Sequence, residues 1–179
     1  MPQPRRVAGV PGAAGAGGVA DRQRAFVALG ANLLAPDLHI QRSVMEMSCI
    51  SGTAVLRSSA CYRSPALSGP SQPDYCNAVV ELETGLAPAG LLRQLHGLEA
   101  AHGRRRGLHW ASRTLDIDLL MYGVLVMSGD VLTLPHPAVA ERPFVLQPWH
   151  ELAPDLVLPD GRSLSRLAAE QPPLPRWSA

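Results

Sequence analysis

A chain of 179 residues with 46% apolar and 17% charged content carries enough material for one folded domain with a sizeable core. A formal net charge of +1 gives no basis for holding nucleic acid by bulk electrostatics, and no apolar run approaches a membrane span. Lysine is absent and all 16 basic side chains are arginine. A GC-rich genome is explanation enough for that bias, but it excludes Walker, Schiff-base and kinase-strand lysines and leaves any phosphate contact to guanidinium groups.

Residues 1–23 are rich in Gly, Ala and Pro and lack the apolar core of a signal peptide. They read as a disordered leader ahead of a single domain over 24–179. Cys49, Cys61 and Cys76 are odd in number and have no CxxC spacing, which suits free thiols and a cytoplasmic protein.

Arg24–Ala31 is a short apolar run that predicts a first strand. Helical spacing follows over about Asp37–Ser51, with Leu38, Val44, Met45 and Ile50 as inward candidates. Ala54–Tyr62 predicts a second strand, and the prolines of Ser64–Asp74 a loop. Tyr75–Glu83 predicts a third strand with Tyr75 and Asn77 on one face. Pro88 suits a helix start, Leu91, Leu92, Leu95 and Leu98 form its apolar stripe, and Gly103 suits its end. A basic loop, Gly103–Arg113, leads into a strand over Thr114–Tyr122. A short strand at Val124–Met127 is expected to turn back on it, with a helical piece near Phe144–Leu152. The order β-α-β-β-α-β predicts an α+β fold of ferredoxin-like type, an antiparallel sheet with helices on one face and an added C-terminal hairpin or helix.

The chemistry concentrates in Arg113-Thr-Leu-Asp-Ile-Asp-Leu-Leu-Met-Tyr122. Side chains alternate across a strand, so Asp116 and Asp118 share one face, about 6–7 Å apart, opposite Leu115, Ile117 and Leu119. Two such carboxylates repel each other and suit divalent cations and phosphate, although a solvated strand face accounts for them equally well. Arg104, Arg105, Arg106 and Arg113 in the preceding loop are a solvated cluster or a phosphate clamp. Together with the aspartates they are the minimum equipment for phosphoryl or pyrophosphoryl transfer. Trp110 pins its loop to the core or stacks on a planar ring. Asn77 makes a structural hydrogen bond or reads an amide-like heterocycle edge. Glu99 is surface charge or part of a site, and His136 has no metal-ligand spacing around it.

The Asp-bearing motif closely resembles the signature of the 6-hydroxymethyl-7,8-dihydropterin pyrophosphokinase family. Ala28-Leu-Gly-Ala-Asn-Leu33, Tyr62-Arg-Ser-Pro65, Gln72-Pro-Asp-Tyr-Cys-Asn77, Glu99 with Gly103-Arg104, Leu134-Pro-His136 and Arg142-Pro-Phe144 extend the resemblance across Ala25–Gly161. It implies pyrophosphate transfer from ATP to the hydroxymethyl group of the dihydropterin, with release of AMP, in folate biosynthesis. By position, Asp116 and Asp118 would hold two Mg²⁺ ions, and Arg104 and Arg113 would stabilise the transferring group. Glu99, Arg106, Leu119, Thr133, His136 and Arg142 would line the ATP site. Ser64, Pro65, Leu67, Tyr75 and Asn77 would form the pterin pocket, with Trp110 and Phe144 sandwiching the ring. The partners expected are these two small molecules, with no nucleic acid and no membrane, for a monomer.

The chain departs from the family pattern at His96, His109, Ser112 and Val131, and harmlessly at Ala31. Loss of basic groups near the nucleotide predicts a modest rise in the ATP Michaelis constant, and loss of a proline before Arg113 a looser loop. Competing readings are a magnesium phosphotransferase for another heterocycle, a ferredoxin-like RNA-binding module, and a paralogue that binds pterin without turnover. The pterin-side residues oppose the first, the near-neutral charge the second, and the intact Asp116, Asp118 and Arg113 the third.

Overall fold

The computed structural model describes residues 22–66, 72–103 and 113–178. Its elements are β1 (Gln23–Ala31), α1 (Pro36–Met47), β2 (Thr53–Ser58), β3 (Tyr62–Ser64), β4 (Tyr75–Thr84), α2 (Pro88–Ala101), β5 (Asp116–Tyr122), a short 3₁₀ turn (Val139–Glu141), α3 (Pro143–Leu152) and α4 (Leu164–Ala169). The antiparallel sheet runs β2-β4-β1-β5, with β3 paired to β4. With β2 and β3 counted as one interrupted strand, this is the predicted β-α-β-β-α-β order in a ferredoxin-like sheet.

The sheet is covered on both faces, where the sequence predicts helices on one. Ala25, Val27 and Leu29 of β1 join Cys76, Ala78, Ile117 and Leu119 against Ile40 and Met47 of α1 and Leu91 and Leu95 of α2. Phe26 and Ala28 join Val79 and Leu120 against Val145, Leu146 and Trp149 of α3 and Leu164 of α4. Burial on both sides is why β1 reads as a continuous apolar run rather than an alternating one. The added C-terminal part is this second helical layer. The short strand expected at Val124–Met127 does not form. Met127 instead exchanges two backbone hydrogen bonds with Leu134, both 2.9 Å.

Two further expectations are corrected. Leu38 and Met45 do not point inward, being 59% and 64% exposed, whereas Ile40, Ser43 and Met47 are buried. Each exposed residue lies two positions, about 200°, from a buried one on a 3.6-residue helix. The strand expected over Ala54–Tyr62 breaks at Ser59. There the Ser59 hydroxyl accepts a hydrogen bond from the Val79 N–H (2.9 Å) and replaces a backbone ladder acceptor. The predicted start of α2 at Pro88 and its stop at Gly103 hold, the latter with φ +80°, a conformation glycine adopts without cost.

No helix among the described residues is long and apolar enough to cross a membrane. The expected leader lies outside the described residues up to position 21, and β1 begins at Gln23, one residue before the predicted start.

Candidate functional site

On the face shared with α3, the helix covers the Phe26–Val79 part of the sheet and leaves the end at Gly30 open. The result is a cleft of about 580 Å³. Its floor is laid by three strands in register: Gly30 of β1 lies opposite Asn77 of β4 on one side and Asp116 of β5 on the other, and Ala28 lies opposite Asp118. Directly opposite residues share a face, so the two aspartates project beside the smallest side chains of β1. Ser64 and Pro65 close one end, and Glu141, Arg142, Phe144 and Val145 at the start of α3 close another.

Asp116 and Asp118 point into the cleft while Ile117 and Leu119 are buried on the opposite face, as alternation predicts. The expected mutual repulsion is relieved by arginines. Arg113 Nη1 donates to Asp116 Oδ2, and Arg142 Nη1 donates to Asp118 Oδ2 at 2.9 Å. These pairs are one-quarter to one-third exposed, so they add little to stability, and their main effect is to hold two guanidinium groups over the floor.

His136 Nε2 lies 3.8 Å from Asp118 Oδ2. The Ala138 N–H donates to His136 Nδ1 (3.3 Å), which leaves the ring proton on Nε2. Burial, together with Arg142, outweighs the nearby aspartates and pushes the His136 imidazole below its ordinary value, so the ring is neutral near pH 7. Burial likewise pushes the Tyr75 phenol up, with Asp116 adding to the shift and Arg113 opposing it.

Asn77 is 4% exposed and its amide orientation follows from its partners. Nδ2 donates to Ser64 Oγ (3.0 Å), to the Tyr75 carbonyl (3.2 Å) and to the Tyr62 carbonyl (3.3 Å). The carbonyl oxygen therefore faces the floor, where a Cβ placed on Gly30 would meet it at 3.5 Å.

Two buried residues hold the Asp strand in place. Glu99, in the last turn of α2 and 4% exposed, accepts a hydrogen bond from the Ile117 N–H (2.8 Å) on the free edge of β5. It is not surface charge. Asn32 Oδ1 accepts from the Arg113 N–H (2.8 Å), its own N–H donates to the Arg113 carbonyl (3.0 Å), and its Nδ2 donates to the Pro73 carbonyl (3.2 Å). Asn32 thus ties the entry to β5 to the loop ahead of β4.

Of the residues singled out by sequence, Ser64, Pro65, Tyr75, Asn77, Arg113, Asp116, Asp118, Arg142 and Phe144 converge on one cleft. His136 touches its edge through Asp118. Leu119 turns its side chain into the core beneath α1 and α2, Glu99 is buried behind β5, and Thr133 lies in the loop after β5, its hydroxyl 3.5 Å from the Gly129 carbonyl. Leu67, Arg104, Arg106 and Trp110 fall outside the described residues. Sequence reading named Ala28-Leu-Gly-Ala-Asn-Leu33 as a motif but gave no site role to Ala28 and Gly30 in the lining or to Asn32 behind it, nor to Leu29, Ala138, Glu141 and Val145. Only the register, which needs the folded sheet, brings Ala28 and Gly30 to the aspartates.

Among the described residues no three His, Cys, Asp or Glu side chains converge as a metal cage. Two carboxylates beside arginines suit instead a hard cation that keeps waters and shares oxygens with a phosphorylated ligand.

A family model described as 7,8-dihydro-6-hydroxymethylpterin-pyrophosphokinase matches residues 26–154. The 2-amino-4-hydroxy-6-hydroxymethyldihydropteridine pyrophosphokinase of Pseudomonas aeruginosa is 42% identical over 150 residues, covering 84% of this chain and 93% of that protein. Its Haemophilus influenzae counterpart is 39% identical over 146 residues, 82% of this chain and 91% of that protein. The crystal structure of an HPPK-DHPS in complex with substrates matches 83% of this chain with a TM-score of 0.64 at 11% identity. The wild-type Plasmodium falciparum HPPK-DHPS matches 84% with a TM-score of 0.63, also at 11% identity. This chain spans 43% and 41% of those two solved chains, and the likeness to them is one of fold.

Proposed function

The chain belongs to the 7,8-dihydro-6-hydroxymethylpterin-pyrophosphokinase family, and from that premise we infer that it moves pyrophosphate from ATP to the hydroxymethyl group of 6-hydroxymethyl-7,8-dihydropterin, releasing AMP, in folate biosynthesis. The observation that carries this reading is the pairing of Arg113 with Asp116 and of Arg142 with Asp118 on the floor of a cleft that is also lined by Asn77, Ser64 and Phe144. A phosphate site and a ring site share one cavity, as a transfer between a nucleotide and a heterocycle requires.

Asp116 and Asp118 would hold magnesium, two ions in this reading, and the metal would neutralise phosphate charge and share phosphate oxygens. Arg113 and Arg142 donate to the oxygens of the transferring group and lower the cost of charge moving toward AMP. Asn77 presents an acceptor, through Oδ1, to the N–H edge of the pterin, because Nδ2 is already engaged. Ser64, Pro65 and Tyr75 complete that pocket, with the Phe144 face stacking on the ring, and by the resemblance Leu67 and Trp110 would join them. By the resemblance Arg104 would act on the transferring group and Arg106 on ATP, with Thr133 and His136 beside the nucleotide, whereas Glu99 and Leu119, buried behind β5 and in the core beneath α1 and α2, lie outside the cleft.

Transfer of this kind needs little covalent work from side chains. The rate comes from holding the substrate hydroxyl in line with the β-phosphorus while water is kept out. No general base is required. His136, with its ring proton on Nε2, presents a donor rather than a base, and at 3.8 Å it makes no hydrogen bond to Asp118 Oδ2.

Incubation with ATP, magnesium and the dihydropterin tests the reading. AMP and pterin diphosphate should appear together, only when all three are present. ADP in place of AMP would sink the pyrophosphoryl assignment.

A further inference from the structure

We propose that the segment Pro172–Trp177, which follows α4, is a positioning element for the ring-binding end of the cleft. It ties β3 to α3, the two walls between which the ring would sit. The proposal deepens the reading of that end as a pterin pocket and rests on it.

On one side β3 pairs with β4, residue for residue, at the pocket wall: Tyr62 with Asn77 and Ser64 with Tyr75. On its other side the added segment acts as a short extra strand. The Arg63 N–H donates to the Pro175 carbonyl (2.9 Å), and the Trp177 N–H donates to the Cys61 carbonyl (2.8 Å). Tyr62 and Arg176 form the bridge between them. β3 has only three residues and would otherwise be an open edge.

Side chains extend the grip to α3. Arg176 lies over the Tyr62 ring, 4.7 Å from its centroid, and its Nη1 reaches Glu151 Oε2 of α3 at 3.1 Å. The Tyr62 hydroxyl donates to the same Glu151 oxygen at 2.9 Å. One carboxylate of α3 therefore receives both the strand and the segment. About one turn back along the helix, the Gln147 side chain brackets the segment, its Nε2 donating to the Pro172 carbonyl (2.6 Å) and its Oε1 accepting from the Leu174 N–H (2.7 Å). Arg63 in turn stacks over the Trp177 ring at 4.7 Å. The exposed ion pair alone is worth little, but the backbone pairs and two cation–π contacts act at the same three residues.

The geometric consequence is specific. The walls tied together carry Ser64 and Pro65 on one side and Phe144 and Val145 on the other. Asp116 and Asp118 lie on β5, at the opposite edge of the sheet from β3, with Arg113 just before that strand and Arg142 just before α3. The segment grips α3 at Gln147 and Glu151, whereas Arg142 at the start of the helix is held separately by Asp118, so loosening the segment should widen the ring pocket far more than it disturbs the phosphate end.

The test compares Arg176→Ala, Trp177→Ala and the conservative Trp177→Phe with the parent protein. Arg176 has a side chain 57% exposed, so its replacement leaves the fold intact even if Trp177→Ala does not. The expected result in the alanine variants is a rise of about tenfold in the KM and Kd for 6-hydroxymethyl-7,8-dihydropterin, the scale of a slightly misplaced wall. The Kd for a non-hydrolysable ATP analogue should stay within about twofold, and Trp177→Phe should restore the pterin values. Amide exchange at Arg63 should accelerate in the same variants. Pterin and nucleotide affinity falling together, or Arg63 exchange at the parent rate, would overturn the proposal. A parent protein that binds the ATP analogue but no dihydropterin would instead sink the ring pocket, and the exchange measurement would still decide the tie between β3 and α3.

Discussion

Arg142, the residue that opens α3, reaches across the cleft to Asp118 on β5, Nη1 to Oδ2 at 2.9 Å. Helix and strand meet at the point where metal and phosphate charge would be handled. Asp118→Asn keeps the shape and removes the charge, so turnover should fall about 10²–10³-fold. The paired groups are about one-third exposed, so the melting temperature of the substrate-free protein should drop slightly rather than rise. Steady-state kinetics beside a thermal melt measures both, and near-normal turnover would remove Asp118 from the metal assignment.

Glu99 clamps the edge of the same strand through the Ile117 N–H, and Glu99→Ala leaves that buried donor without its acceptor. The cost should be about 1–3 kcal/mol, readable in urea unfolding. A Glu99→Gln variant that retains an amide oxygen should recover much of the loss. Unfolding curves that superpose on the parent for Glu99→Ala would show that the clamp does not hold β5.

Gly30 faces Asp116 and Asn77 from the centre of the floor. A methyl group there would sit 3.5 Å from Asn77 Oδ1, an ordinary contact, so Gly30→Ala should fold and bind nearly as the parent does. Gly30→Leu would fill the floor, and dihydropterin affinity should drop at least about tenfold while the fold persists, as calorimetric titration would reveal. Retained affinity in the leucine variant would place the ring elsewhere.

Acid should destabilise the protein through the join of α1 and α2. His39 Nδ1 lies 2.9 Å from His102 Nδ1, and His102 Nε2 lies 2.7 Å from Glu46 Oε2. Burial first, then His102 and Arg42, hold the His39 imidazole below 6.5. Burial pushes the Glu46 carboxyl up, but its hydrogen bonds to His102 and Arg42 outweigh that and hold it below 4.5. Both folded values are depressed, so the unfolded chain takes up these protons first as pH falls. Stability that is complete above 6.5 should decline through the His39 range and again below 4.5. Melting temperatures across that range, with His39→Gln flattening the first decline, provide the check.

The alternation that carries Asp116 and Asp118, the proline start and glycine stop of α2 and the β-α-β-β-α-β order were all legible, because each is set by local geometry. What the sequence hides is set by tertiary partners. α1 carries apolar residues around much of its circumference, and only the sheet selects Ile40 and Met47 over Leu38 and Met45. Ser59 interrupts a strand because its hydroxyl meets a particular amide on β4. Glu99 reads as a surface residue until β5 presents an unpaired N–H to it. The small residues of β1 acquire meaning only from what lies across the ladder.

That last dependence carries a folding hazard. β1 places Ala25, Val27 and Leu29 on one side and Phe26 and Ala28 on the other, and both sides are apolar and buried. A slip of one residue would exchange the two sets without exposing anything greasy, so polarity does not choose the pairing, as it does in a half-solvated strand. The β1–β5 ladder already tolerates an irregularity between Phe26 and Val27. What separates the native pairing from its neighbour is bulk: the slipped form would swing Leu29 onto the floor and plug it. The misaligned competitor would be compact and oily but would have no cavity. Substrate, which can enter only the correctly aligned form, would draw the population toward it by mass action.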